Sequence, residues 1–364
     1  MNSDRKNEQL NRKTQAPKSN FSGLTLLPLL FSVVCVVFTV MMAGYVLWFY
    51  QGGYEEETAG ETYDRYYIMI TREGKSAFWQ SVYQGACERA LEENVYVDWL
   101  GSDQLQGYSV EEQMEIAIAS GVDGIIVTAD ENETLRKLID RAAENGIPVV
   151  TLYGDNTQSA RCSFVGVGGY NLGREYGRQA LKIVQERLAD MTERPIRVTL
   201  LVNSYANSLD QNIIYSGIQE AIEQERGDAV IEISLQSVDD TNAFSVEESV
   251  RDIFMGGNVP DILICLNELN TTCAYQAVVD YNKVGVVSIL GQYTSDTILN
   301  AIDRNVIYAT VNIDTPQMGG FCIDALQEYH DLGYTSQYFT ADISLITKDN
   351  VDEYLRGEEP ESDE

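Results

Sequence analysis

At 364 residues the chain exceeds what one hydrophobic core serves, so two domains with an appendage is the natural organisation. A hydrophobic content of 44% and a charged content of 22% argue against general disorder. The net charge is −31; the first 23 residues carry +3, which leaves −34 on the rest, and a surface of that sign argues against a nucleic-acid partner.

The basic side chains Arg5, Lys6, Arg12, Lys13 and Lys18 mark residues 1–23 as a tail. The uncharged run Leu24–Tyr50 follows, 27 residues where about 20 suffice to cross a bilayer. Basic residues before it and Glu55, Glu56 and Glu57 after it place the tail in the cytoplasm and the remainder outside. Tyr45, Trp48, Phe49 and Tyr50 crowd the outer end, where amphipathic rings prefer the interface. A cleaved signal peptide is the rival, but its apolar region is normally only about 7–15 residues long. A lipoprotein signal at Cys35 fits poorly, because Val34 stands where a small residue is needed. The expected localisation is therefore the cell membrane, single-pass, with residues 51–62 as a Gly- and Glu-rich tether.

Beyond the tether, apolar β-branched runs alternate with helical periods. Strands are expected at Arg65–Thr71, Tyr96–Gly101, Gly124–Thr128, Pro148–Tyr153, Arg197–Asn203, Ala229–Leu235, Ile262–Leu266, Val286–Gln292 and Val306–Asn312. Val110, Met114, Ala117 and Ile118 share one helical face; Leu135, Leu138, Ile139 and Ala142 share another. Strands apolar throughout need helices on both faces, which is α/β architecture with doubly wound parallel sheets. Such sheets bind ligands at the carboxyl ends of their strands, and a division near Val167 gives two halves whose strand ends form a cleft. The chain closes with GEEPESDE, so residues 356–364 read as an acidic disordered tail.

GVDGIIVTAD (121–130), GIPVVTLYGD (146–155), KSAFWQSVYQGACERA (75–90), FVGVGGYNLGREYG (164–177), ILICLNELN (262–270) and ATVNIDTPQMGG (309–320) together resemble the type I periplasmic binding proteins, in their ribose- and galactose-binding branch. The resemblance runs from about Tyr67 to about Tyr354. It implies two lobes joined by a multi-strand hinge, with crossings near Val167, Ile313 and Gln337. Lobe one is then 63–166 with 314–336, and lobe two 167–313 with 337–355. It also implies hinge closure on a bound solute.

Carried over position by position, the resemblance places Phe78 and Trp79 on the family's cleft aromatics, with packing at the helix start as the alternative for each. Ser76 replaces a family asparagine. Asn267 falls on a family asparagine after a second-lobe strand, where a helix cap is the alternative. Tyr153 and Gly154, with Asp155 close by, stand where sugar binders have Asp-Arg. Ile214 replaces an arginine, Tyr293 an aspartate, and Ile313, flanked by Asn312 and Asp314, the hinge glutamine. The expected binding set is Ser76, Phe78, Trp79, Tyr153, Asp155, Asn267, Tyr293, Asn312 and Asp314. Loss of so many polar partners speaks against a standard monosaccharide, whose buried hydroxyls each need one. The rings Phe78, Trp79, Tyr153 and Tyr293 suit a sugar-like ligand with an aromatic or cationic character.

Catalytic chemistry has little to stand on. His330 is the single histidine and reads as a core or surface residue. Cys87, Cys162, Cys265, Cys273 and Cys322 lack metal-ligand spacing, and one disulfide among them remains open. GVGGYNLG (166–173) departs from the dinucleotide fingerprint at Asn171 and reads as an interlobe crossover. The expectation is a solute-binding protein with no enzymatic activity, metal or cofactor. It would deliver its ligand to an ABC permease or, alternatively, signal to a histidine kinase or other membrane partner.

Overall fold

The computed structural model describes residues 62–72, 76–100, 107–188, 194–203, 209–239 and 243–356, together with Val36, Met41 and Met42. The expected cytoplasmic tail, membrane anchor, tether and acidic C-terminal end lie outside the described residues except at Val36, Met41, Met42, Thr62 and Arg356. Among the described residues no helix is long and apolar enough to cross a membrane.

The first lobe opens with β1 (Arg65–Ile70), α1 (Ala77–Glu92) and β2 (Val95–Leu100), then α2 (Val110–Ser120) and β3 (Gly124–Val127). It continues through α3 (Glu133–Glu144), β4 (Val149–Leu152) and β5 (Ser163–Val167). Local chemistry sets these boundaries. Ser109 and Glu112 form a capping box at the start of α2, and Gly121, at φ 64°, ends it. β3 and β4 are buried along their whole length, as strands covered on both faces must be.

The second lobe holds α4 (Gly169–Arg187), β6 (Ile196–Asn203), α5 (Leu209–Glu225), β7 (Ile231–Val238) and α6 (Ala243–Met255). β8 (Ile262–Cys265), α7 (Glu268–Asp280), β9 (Ser288–Gln292), α8 (Asp296–Asp303) and β10 (Ile307–Ile313) follow. The chain then returns through α9 (Thr315–Leu332) and β11 (Tyr338–Ala341), and ends in β12 (Ile343–Thr347) and α10 (Val351–Leu355).

Two six-stranded sheets result, ordered β11-β5-β4-β3-β1-β2 and β12-β10-β9-β8-β6-β7. Every pairing is parallel except β10 with β12. The chain leaves the first sheet at Gly168, returns at Asp314 and leaves again at Asp342. Gly168 and Asp314 share φ −70° and ψ 87°, so two crossings turn into their helices in the same way. The sequence placed the last crossing near Gln337, and this is corrected. Tyr338–Ala341 pairs in parallel with Phe164–Val167, so the first sheet keeps the chain as far as Ala341. The crossings are bonded to one another: the Asp314 N–H donates to the Asp342 carbonyl at 2.9 Å, and the Asp342 N–H donates to Gln317 Oε1 at 2.7 Å.

Helix α9 packs closely on α1. A Cβ at Gly319 would sit 2.0 Å from the Val82 carbonyl oxygen, so only glycine permits this approach. The five cysteines of the described fold are free thiols. His330 donates its Nε2–H to the Asp123 carbonyl (2.8 Å) and stacks on Tyr67, a structural position.

Candidate functional site

The carboxyl ends of the two sheets carry the aromatic candidates. Phe78 and Trp79 lie in the first turn of α1, directly after β1. Tyr153 follows β4 and Tyr293 follows β9. Both tyrosines have left-handed backbone, φ 65° and 76°, a conformation costing about 1–2 kcal/mol for a residue with a Cβ. Backbone bonds hold them there: the Tyr153 N–H donates to Val165 O at 2.8 Å and the Tyr293 N–H to Val311 O at 2.9 Å.

The four rings converge. Phe78 meets Trp79 at a centroid distance of 4.9 Å, Tyr153 at 5.0 Å and Tyr293 at 5.5 Å, and Trp79 meets Tyr153 at 5.8 Å. All four contacts are edge-on, the geometry that ring quadrupoles favour by about 0.5–1.5 kcal/mol per pair beyond burial. Trp79 and Tyr293 are only 7% and 8% exposed. Trp79 also joins the first lobe's core with Val82, so it packs inward and lines the cleft together.

The polar candidates are largely engaged with the protein itself. Ser76 caps α1 by accepting the Trp79 N–H at 3.3 Å. Asn267 caps α7 through the Asn270 N–H at 2.7 Å, and Asp314 caps α9 through the Gln317 N–H at 2.8 Å. Asn312 Oδ1 accepts from the Thr294 hydroxyl at 3.3 Å. Asp155 receives Arg161 on both oxygens, at 2.5 and 2.6 Å, and also the Thr151 hydroxyl at 2.7 Å. Its carboxylate therefore holds the loop between β4 and β5. Ile214, on the family's arginine position, is buried in the second lobe's core.

Sequence reasoning missed three neighbours of the cluster. Gln292, 2% exposed, donates its side-chain amide to the Tyr153 hydroxyl at 3.0 Å, from one lobe to the other. An amide ending an otherwise apolar strand at its carboxyl end was the available signal. Glu268, in the first turn of α7, has its carboxyl pKa raised by burial, against the Ser295 hydroxyl beside it. The Tyr293 phenol is pushed up to about 12 by burial and by the nearby Glu268 carboxylate, against the Thr315 hydroxyl. The Asn270 Oδ1 is buried close behind without a hydrogen-bond partner. Among the described residues no cluster of three or more His, Cys, Asp or Glu side chains is arranged to hold a metal.

Two hinged α/β lobes whose strand ends face each other define a type I binding-protein scaffold. The chain belongs to the periplasmic binding protein domain family, whose profile matches residues 66–333. No curated protein sequence matches it. Among solved structures it is similar to GanP, a glucose-galactose binding protein from Geobacillus stearothermophilus, with TM-score 0.66 and 22% identity over 79% of this chain and 99% of that one. It is also similar to a sugar ABC transporter sugar-binding protein from Bacillus halodurans, with TM-score 0.67 and 21% identity over 79% and 99%. XylFII in its complex with LytSN matches with TM-score 0.65 and 22% identity over 79% and 99%. At these identities the likeness establishes the fold.

Proposed function

We propose that the chain is an extracytoplasmic receptor that takes a small sugar-like solute between its lobes, as the binding component of an ABC-type importer. One observation carries this reading: Phe78, Trp79, Tyr153 and Tyr293 converge where the carboxyl ends of the two sheets face each other. Leu24–Tyr50 would tether the receptor at the membrane, with residues 1–23 in the cytoplasm. The rings offer flat apolar faces, and Glu268 adds a half-buried carboxylate beside Tyr293. That pairing suits a solute with an apolar or cationic face better than a hydroxyl-rich pentose.

A second reading is a membrane-tethered sensor that signals to a histidine kinase. The complex of XylFII with LytSN supports it, as does the replacement of the polar clamp by rings. Neighbouring genes separate the two: permease and ATPase genes for import, kinase and regulator genes for sensing. Calorimetry on the full chain, with a panel of sugars, polyols, nucleosides and quaternary amines, tests the ligand class. Binding of a quaternary amine or nucleoside is the expected result, and tight pentose binding overturns it.

A further inference from the structure

We infer that a groove at the amino end of the first sheet docks an arginine-bearing, membrane-proximal segment of a partner protein. The groove, about 380 Å³ in volume, is lined by Tyr63, Asp64, Arg65, Tyr66, Tyr96 and Asp123. Tyr66 and Tyr96 stand side by side in register near the amino ends of β1 and β2, and Asp123 immediately precedes β3. Phe78 and Tyr153 follow the carboxyl ends of β1 and β4, so the groove lies at the opposite end of the sheet from the ring cluster.

Tyr96 meets Tyr66 at a centroid distance of 5.7 Å and 12°, and Tyr63 at 5.3 Å and 44°, yet it stays 44% exposed. Carboxylates rim these rings. Asp98 accepts the Tyr66 hydroxyl at 2.9 Å and Asp123 the Tyr66 N–H at 2.8 Å, both neutral donors, and Asp64 is exposed. Arg65, the basic side chain of the wall, is engaged by Gln327 at 2.5 Å and Asp331 at 3.1 Å. Tyrosine rings beside carboxylates recognise a guanidinium, which lies flat on a ring while its N–H fork reaches the acid oxygens. The fold holds its own arginines this way. Arg161 sits 5.3 Å over Tyr338 while paired with Asp155, and Arg187 sits 4.8 Å over Tyr308, whose hydroxyl donates to Glu186. Position selects the partner. Residues 51–62 separate Tyr63 from the run Leu24–Tyr50, a reach of at most about 45 Å, and they add Glu55, Glu56, Glu57 and Glu61 to the local charge. That charge repels an anionic bilayer and attracts a basic protein segment beside it. The inference rests on the tethered reading for the partner's place, and is independent of what the cleft binds.

The test uses the full chain in phosphatidylcholine nanodiscs, with fluorescein-labelled peptides of glycine alternating with arginine, lysine or citrulline. Anisotropy titrations should show the arginine peptide bound, the lysine peptide bound more weakly and the citrulline peptide not bound. Tyr96→Ala should weaken the arginine peptide about two- to fivefold, whereas Tyr96→Phe, which keeps the ring, should bind as wild type. Asp98→Asn, which still accepts from the Tyr66 hydroxyl, should weaken it by a similar factor of about two to five. Asp228→Asn makes the same change of charge at an exposed position of the second lobe. It should stay within about 1.5-fold of wild type, because distant exposed charges are screened. Wild-type affinity in Tyr96→Ala, or an equal loss in Asp228→Asn, overturns the inference, since the peptide then follows net charge and not the groove.

A photo-cross-link names the occupant. Thr62, exposed beside Tyr63, is replaced by p-benzoylphenylalanine, and the discs are illuminated with the arginine peptide present. An adduct with the mass of the peptide supports the inference; an adduct with phospholipid or a second copy of the chain in its place, or none, overturns it. Calorimetry with glucose, arabinose, adenosine and choline separates this inference from the receptor reading. A chain that binds a solute and not the peptide overturns the inference alone, and one that binds the peptide and no solute counts against the receptor reading alone.

Discussion

Tyr153 and Tyr293 occupy the same place in the two lobes. Each follows the fourth strand of its lobe in chain order, each has positive φ, and each donates its N–H to a carbonyl on the fifth strand, Val165 or Val311. Phe78 lies against both rings, at 5.0 and 5.5 Å. A repeated backbone device therefore presents one aromatic ring from each half to a third ring, Phe78. Sugar binders of the resembled branch have charged groups at these positions. Here the same geometry gives an apolar contact between lobes, Phe78 against Tyr293.

The two neighbouring rings of α1 should separate stability from cleft function. Trp79 is 7% exposed and packed in the first core, so Trp79→Ala should cost about 3–5 kcal/mol of unfolding free energy. Phe78 is partly buried and points its contacts at the cleft, so Phe78→Ala should cost about 1–2 kcal/mol. Guanidinium denaturation of both variants checks the division. Equal losses would place Phe78 in the core and remove it from the cleft's working surface.

Asp155 is paired within the protein, and its substitution should act on stability more than on solute binding. Both it and Arg161 have side chains only 9% exposed, joined through two hydrogen bonds. Asp155→Ala leaves a buried guanidinium unpaired and should cost about 3–5 kcal/mol. Arg161→Ala should cost a similar amount, and the double variant less than the sum of the two. Denaturation midpoints measure this, and calorimetry on the Asp155 variant should give solute affinity unchanged within twofold.

Alternating apolar runs made the α/β class readable from the sequence, and the rings were readable through the resemblance, carried over position by position. The polar part of the site was not. Ser76, Asn267 and Asp314 each precede a helix, and a residue type that can bind a hydroxyl can equally cap an N-terminus. β11 was missed because YFTA is only four residues long and exposed at Tyr338 and Thr340, so it lacks the apolar run that marked the central strands. β12, separated from it by Asp342 alone, left no turn signal to show that the chain changes sheets there. Gln292 escaped because strand patterns are read from apolar residues, whereas its importance comes from what the opposite lobe places across from it.

Asn267 offers a direct comparison of cap and ligand. Its side chain accepts the Asn270 N–H at 2.7 Å, which an aspartate or serine can also do. Asn267→Ala should therefore lower stability by about 1 kcal/mol, while Asn267→Asp should leave it nearly unchanged. If calorimetry shows that Asn267→Asp abolishes solute binding while thermal melting is unaltered, Asn267 touches the solute as well as capping its helix.

The alkaline limb of stability should carry the signature of Tyr293. Its pKa rises from the ordinary 10 to about 12 in the fold, chiefly through burial and then through the Glu268 carboxylate. Below pH 10 the phenol is protonated in both folded and unfolded chains, so the contribution is complete. Between pH 10 and 12 the unfolded chain releases the proton and the folded chain keeps it, so stability falls as pH rises, by up to about 3 kcal/mol across the window. Tyr293→Phe cannot ionise and should lose less over the same range, although other buried tyrosines such as Tyr176 still contribute to both proteins. Urea denaturation of wild type and Tyr293→Phe at pH 8 and pH 11 gives the comparison. Parallel losses in the two proteins would mean that Tyr293 titrates in water and not in its buried place against Phe78.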